Sequence, residues 1–201
     1  MDLFVTEIVN SILQIAVFGI IPYVYWFITA RKHRKLAEWI GLKKIEGGKK
    51  TIISIILVSF IFMVLGGLTL YALKDVEIAT SKFTGLGAIA IPSIVIYATF
   101  NTSFPEELIF RGFILKRLLN KFSFNIANFI QALLFGLLHG VIFFALVGVI
   151  KTILIIIFTC AIAWFMGYIN ERYSNGSILP SWIIHAIANF FSGICAAFLI
   201  I

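Results

Sequence analysis

Residues 105–112 read Pro-Glu-Glu-Leu-Ile-Phe-Arg-Gly and place three charges within six positions of a long apolar segment. A carboxylate or guanidinium in hydrocarbon costs at least about 2.5–3.5 kcal/mol on insertion scales. An ionisable residue inside a membrane segment is therefore a candidate functional residue by default, and this stretch holds three of them.

Helical geometry separates the three charges into two groups. Glu107 and Arg111 are four residues apart on one helix face, in the acid-first order that favours a structural ion pair. Glu106 lies about 100° further round the helix and has no local partner. We therefore predict supporting roles for Glu107 and Arg111. Glu106 either pairs with a polar group on another helix or takes part in chemistry.

Composition identifies an integral membrane protein. Of 201 residues, 61% are hydrophobic, and the mean hydropathy of +1.07 is too high for a soluble globule. The net charge is +7, but eight of the 16 Lys and Arg residues fall between Arg31 and Lys50. Basic residues concentrated beside a membrane segment favour a cytoplasmic loop in contact with anionic lipid, and we predict no nucleic-acid partner.

The apolar segments predict an all-α bundle of about six transmembrane helices. Each segment is close to the roughly 20 residues needed to cross a bilayer. The predicted spans are residues 3–30, 51–73, 88–119, 125–147, 149–170 and 179–201. We divide the chain into an N-terminal transmembrane pair with its basic loop, residues 1–83, and a core of residues 84–201.

Two further polar sites interrupt the later spans. His139 lies in the fourth span, and His185 and Asn189 lie four residues apart on one face of the sixth. With a rise of about 1.5 Å per residue, Glu106 and His139 are expected at similar depth, His185 slightly nearer the basic side and Asn189 one turn deeper. We expect these four side chains to converge on one buried site.

Such a set of side chains suits hydrolysis of an acyl bond. A carboxylate and an imidazole can deprotonate water, while a second imidazole and a carboxamide can donate hydrogen bonds to an oxyanion. A metal site is the alternative, because Glu106, His139 and His185 would form an adequate zinc ligand set. The His-Glu-x-x-His helix of soluble zinc proteases is absent, since Gly140 follows His139.

The ordered motifs resemble those of a known family. Glu106-Glu107-x-x-x-Arg111, Phe135-x-x-x-His139 and His185-x-x-x-Asn189 are similar to the three-motif signature of the CAAX prenyl protease and bacteriocin-processing family, also called the Abi family. The resemblance implies that Glu106 and His139 activate water and that His185 and Asn189 form the oxyanion site. It also implies a helical intramembrane cavity open to the cytoplasm, and a metal-free mechanism is preferred.

These observations predict an intramembrane endopeptidase of the bacterial plasma membrane, acting on a peptide or membrane-protein substrate. One alternative is a bacteriocin self-immunity protein of the same fold that binds without proteolysis. A transporter that uses the same groups to relay protons is another. The sequence leaves the substrate, the cleavage site and the oligomeric state open.

Overall fold

The computed structural model describes residues 2–201, and within that range the chain is helical and contains no strand. The helices are α1 (Leu3–Thr29), the short α2 (Leu36–Trp39), α3 (Gly48–Ala72), α4 (Gly87–Leu118), α5 (Phe124–Tyr168) and α6 (Leu179–Ala197). All except α2 are long and apolar enough to cross a membrane. The predicted all-α membrane protein is confirmed.

Helix α5 is a hairpin folded at Gly148, where the backbone leaves the helical conformation with φ 71° and ψ 177°. The Gln131 amide in the first half donates to the Ala163 carbonyl in the second half, at 3.1 Å. A Cβ added at Gly136 would lie 2.8 Å from the Ile156 carbonyl oxygen, so the two halves pack closely and antiparallel. The hairpin supplies the predicted fourth and fifth spans, which gives six apolar segments in all.

Helix α4 is irregular around the charged stretch. Two π-helical segments, Tyr97–Ser103 and Leu108–Leu115, flank one α turn, Phe104–Glu107. Pro105 lacks an N–H, and in a regular α-helix its ring would clash with the Asn101 carbonyl four residues earlier. A wider π turn relieves this clash and rotates the residues that follow it. The directions in which the side chains of α4 point therefore differ from those of an ideal α-helix.

Polar contacts connect α4 to helix α1 and to the segment that follows α5. Glu7 of α1 is fully buried, and it accepts a hydrogen bond from Asn101 Nδ2 at 2.6 Å and pairs with Lys82 Nζ at 2.5 Å. On the opposite side of the bundle, Lys116 Nζ donates to Glu171 Oε1 at 2.5 Å and to a backbone carbonyl at 2.7 Å. Helix α1 packs along α4, and α3 packs along α6. The division of the chain at residue 83 stays a prediction.

We predict that Gly148→Ala destabilises the protein by about 1–3 kcal/mol, because the observed φ and ψ lie in a region that only glycine adopts without strain. Thermal unfolding of the detergent-solubilised protein would measure the change. Gly19→Ala is the matched control, since Gly19 lies within α1 and has nothing within 4 Å of an added Cβ. Equal melting temperatures for the two variants would contradict the assigned turn.

Candidate functional site

A buried cluster of charges joins α4 to α6. Arg111 Nη1 donates to Glu107 Oε1 at 2.8 Å, and both side chains are fully buried. His185 Nδ1 lies 3.0 Å from the same carboxylate oxygen. Glu107 Oε1 therefore contacts Arg111 on its own helix and His185 on α6. The i,i+4 spacing predicted the contact with Arg111, and it did not predict the contact with His185.

The Arg111 guanidinium is also placed over an aromatic ring, with its central carbon 4.5 Å from the centre of Phe135. Among residues 2–201, Glu107 Oε2 and Arg111 Nε and Nη2 have no hydrogen-bond partner. Removing one member of a buried pair leaves the other charge uncompensated, which typically costs about 3–5 kcal/mol. This cluster is therefore a sensitive point of the fold as well as a support for His185.

Glu106 is placed differently from Glu107. Its Oε2 lies 3.8 Å from His185 Nε2, too far for a hydrogen bond, and has no hydrogen-bond partner in the described part of the chain. The Glu106 side chain is 22% exposed, whereas that of Glu107 is fully buried. The imidazole of His185 thus lies between two carboxylates. Glu107 Oε1 is bonded by Arg111 and His185, whereas Glu106 Oε2 has no hydrogen-bond partner and faces the ring.

His139 is held by its own helix. Its Nδ1 lies 2.9 Å from the Phe135 carbonyl oxygen, and because a carbonyl only accepts, Nδ1 carries the proton. The Nε2 of the neutral ring then keeps its lone pair and can act as a base. Phe135 lies between the two histidines, with its ring centre 4.5 Å from that of His139 and 6.0 Å from that of His185.

Asn189 meets two hydroxyl groups that the sequence analysis did not identify. Its Nδ2 donates to Thr102 Oγ1 at 2.7 Å and to Ser103 Oγ at 3.1 Å, so both amide hydrogens are used. Hydroxyl residues in membrane helices usually bond to their own backbone. The sequence therefore held no signal that Thr102 and Ser103 would reach α6.

A cavity of about 220 Å³ lies beside these groups, between α3, α5 and α6. Three predicted site residues, His139, His185 and Asn189, line it, whereas Glu106 does not. Most of the other lining residues are apolar. The lining extends to Leu73 and Ile78, at the end of α3 away from the basic segment. The predicted opening toward the cytoplasm therefore stays a prediction.

The alternative zinc site is not formed by these residues. Within residues 2–201, no group of three His, Cys, Asp or Glu side chains is close enough to hold a metal ion, and this includes Glu106, His139 and His185. Because the proposed ligands do not fit a metal, no step of the chemistry is assigned to one. Independence from metal stays a prediction.

Comparison with protein families identifies the chain. The family model described as type II CAAX prenyl endopeptidase Rce1-like matches residues 88–191, a little over half of the 201 residues. The chain belongs to this family. The match covers α4, α5 and two thirds of α6, and it contains all six predicted site residues of this Rce1-like protein. No match is found among curated proteins or solved structures.

We expect Glu107→Gln to lower the free energy of unfolding by about 3–5 kcal/mol, because it leaves the buried Arg111 without a counter-charge. Glu106→Gln removes a neighbouring carboxylate that makes no hydrogen bond, so its effect should stay below about 1 kcal/mol. Urea or thermal unfolding of both variants in the same detergent measures the difference. Similar destabilisation by the two substitutions would show that the two glutamates do not differ as described.

Proposed function

We propose that this member of the Rce1-like family is an intramembrane endopeptidase that hydrolyses a peptide bond with water activated by Glu106 and His139. The observation that carries the proposal is the contrast between the two neighbouring glutamates. Glu107 is buried in an ion pair, whereas Glu106 keeps an unpartnered oxygen beside His185. A carboxylate free of structural partners is the group needed to accept a proton from water.

We propose the following reaction for these groups. Glu106 accepts one proton from water while His139 Nε2 accepts a hydrogen bond from the other O–H, and the resulting hydroxide attacks the carbonyl carbon of the scissile peptide. The carbonyl oxygen becomes an oxyanion. The oxyanion then re-forms the C=O bond as the C–N bond breaks, and the proton on Glu106 moves to the leaving nitrogen. Cleavage by activated water needs no acyl-enzyme.

His185 and Asn189 are proposed to stabilise the oxyanion. Because His185 Nδ1 already bonds the Glu107 carboxylate, its Nε2 can donate only when the ring carries both protons. Asn189 must release one of its two bonds in order to donate to the substrate, and we propose that it releases the longer bond to Ser103 and keeps the one to Thr102. The hydroxyls are thus positioning residues that hold the amide in place until substrate arrives.

The proposed setting is the bacterial plasma membrane, with the basic segment on the cytoplasmic side. The cytoplasmic opening that the family resemblance implies would need a path other than the cavity beside His139 and His185, whose lining runs toward the opposite end of α3. Arg31–Lys50 carries half of the basic residues, which supports this orientation through the positive-inside rule. The proposed substrate is a peptide or a membrane protein, since a site inside the bilayer meets apolar chains directly. The same fold acting as a bacteriocin immunity protein by binding alone is the rival proposal.

We expect Glu106→Gln to lower the cleavage rate by at least about 100-fold, because it removes the general base. The assay uses a panel of fluorogenic CAAX-like and bacteriocin-leader peptides, with the metal content of each sample measured in parallel. Glu77→Gln is the matched control, since it removes an exposed carboxylate from the loop after α3.

The outcomes separate the proposals. Cleavage that is lost in Glu106→Gln but kept in the control, in samples without stoichiometric metal, supports the glutamate mechanism. If the wild type held stoichiometric zinc and Glu106→Gln lost both the zinc and the activity, the glutamate mechanism would be wrong and the metal-site hypothesis would be favoured. An immunity phenotype that survives both Glu106→Gln and His139→Gln would favour the binding protein.

We further expect Thr102→Val to lower kcat about tenfold and to leave KM nearly unchanged. The substitution removes one hydrogen bond that orients Asn189, an effect of about 1–1.5 kcal/mol. Thr102→Ser keeps the hydroxyl and should restore most of the rate. Loss in the serine variant with no loss in the valine variant would indicate that the methyl group matters for packing and that the hydroxyl does not orient Asn189.

A further inference from the structure

A second cavity, unlike the first, is polar and lies where α1 and α4 end on the basic side. Its volume is about 360 Å³, and its lining is mainly polar. The lining residues that matter here are Tyr25, His33, Arg34, Trp39, Arg117 and Asn120. No acidic residue lines the cavity, although two arginines and a histidine share it. The positive charges of these side chains are therefore not neutralised by any other residue that lines the cavity.

Arg117 has donors that the protein does not use. Its guanidinium carbon lies 3.8 Å from the centre of the Trp39 ring. Its Nε and Nη1 are buried and have no hydrogen-bond partner among residues 2–201. Leaving buried donors unpaired costs free energy, and each such group needs an explanation. The fixed fork of a guanidinium matches the oxygens of a phosphate or carboxylate.

The opposite wall of the cavity is held in place by hydrogen bonds. Trp26 Nε1 donates to the backbone carbonyl of Arg34 at 2.8 Å, and the backbone N–H of His33 donates to the Ala30 carbonyl at 2.9 Å. These bonds fix the turn that carries Arg34 toward Arg117. Arg31, in the same basic run, does not line the cavity, and its guanidinium lies 4.0 Å from the centre of the Phe27 ring.

The position of the cavity points to a ligand in the membrane surface. α1 ends at Thr29 and α4 at Leu118, so the cavity lies at the level where both spans leave the hydrocarbon. Aromatic residues near the end of α1, Tyr23, Tyr25 and Trp26, are typical of the headgroup region. Basic pockets between membrane helices at this depth suit anionic headgroups.

We propose that this cavity binds the phosphate of an anionic phospholipid such as phosphatidylglycerol, with Arg34 and Arg117 as the phosphate ligands. The Arg117 guanidinium, two of whose nitrogens are unpaired, and the exposed side chain of Arg34 both line the cavity, so a phosphate placed there would meet both charges. A zwitterionic lipid is disfavoured because no acidic residue in the lining meets its cationic group. This inference is independent of the proposed proteolysis.

The test is native mass spectrometry of the full-length protein with phosphatidylglycerol or phosphatidylcholine at equal concentration. We expect the wild type to retain phosphatidylglycerol preferentially. The double variant Arg34→Gln/Arg117→Gln should bind it at least about tenfold more weakly, because each charge-assisted hydrogen bond contributes on the order of one decade. Arg31→Gln is the matched control: it removes the same charge from the same segment, outside the cavity.

Three results would overturn the proposal: equal binding of the two lipids, equal loss in the Arg31→Gln control, or displacement of the lipid by millimolar inorganic phosphate. The second would show diffuse attraction of the basic segment for the membrane, and the third would assign the site to free phosphate. If Arg117→Gln does not fold, the single variant Arg34→Gln tests the proposal, because the Arg34 side chain is exposed and its replacement should leave the fold intact. Retention of the preference for phosphatidylglycerol at about 1 M salt, where surface charges are screened, would support a built site.

Discussion

The buried ion pair of Glu107 and Arg111 is the constraint that the rest of the bundle must satisfy. Two charges with no exposure to solvent are tolerated in a membrane protein only when other helices surround them and supply polar contacts. Helix α6 supplies His185, and the first half of α5 supplies the face of Phe135. The need to enclose one pair of charges thus brings together the helices that carry the candidate site.

Two adjacent glutamates of α4 have different environments because they lie about 100° apart on the α turn between its two π segments. In this turn, Glu107 is fully buried, and Glu106 faces His185 with a free oxygen. Pro105 supplies a local reason for the first π segment. For the second, the structure gives no comparable residue. The π segments are frequent at functional sites because they redirect side chains without breaking the helix.

The sequence was sufficient for the features that follow from periodicity and composition. Predicted spans agree with the helices to within a few residues, including the break between residues 147 and 149, because apolar length and a glycine at a reversal are local signals. The pairing of Glu107 with Arg111 is local in the same sense. The contacts of Asn189 with Thr102, and of Glu7 with Asn101, join residues that are far apart in the chain. Such contacts depend on which face each helix turns toward its neighbours. The π segments of α4 change that orientation, and no pattern in a single sequence reveals it.

Helix α1 has a consequence for the order in which the protein is assembled. Glu7 is synthesised as part of the first apolar segment, long before Lys82 and Asn101 exist to receive its charge. Until residues 82–101 have been synthesised, this carboxylate has neither of the partners that the folded bundle gives it. Final docking of α1 against α4 must therefore wait for a segment about 80 residues further along the chain.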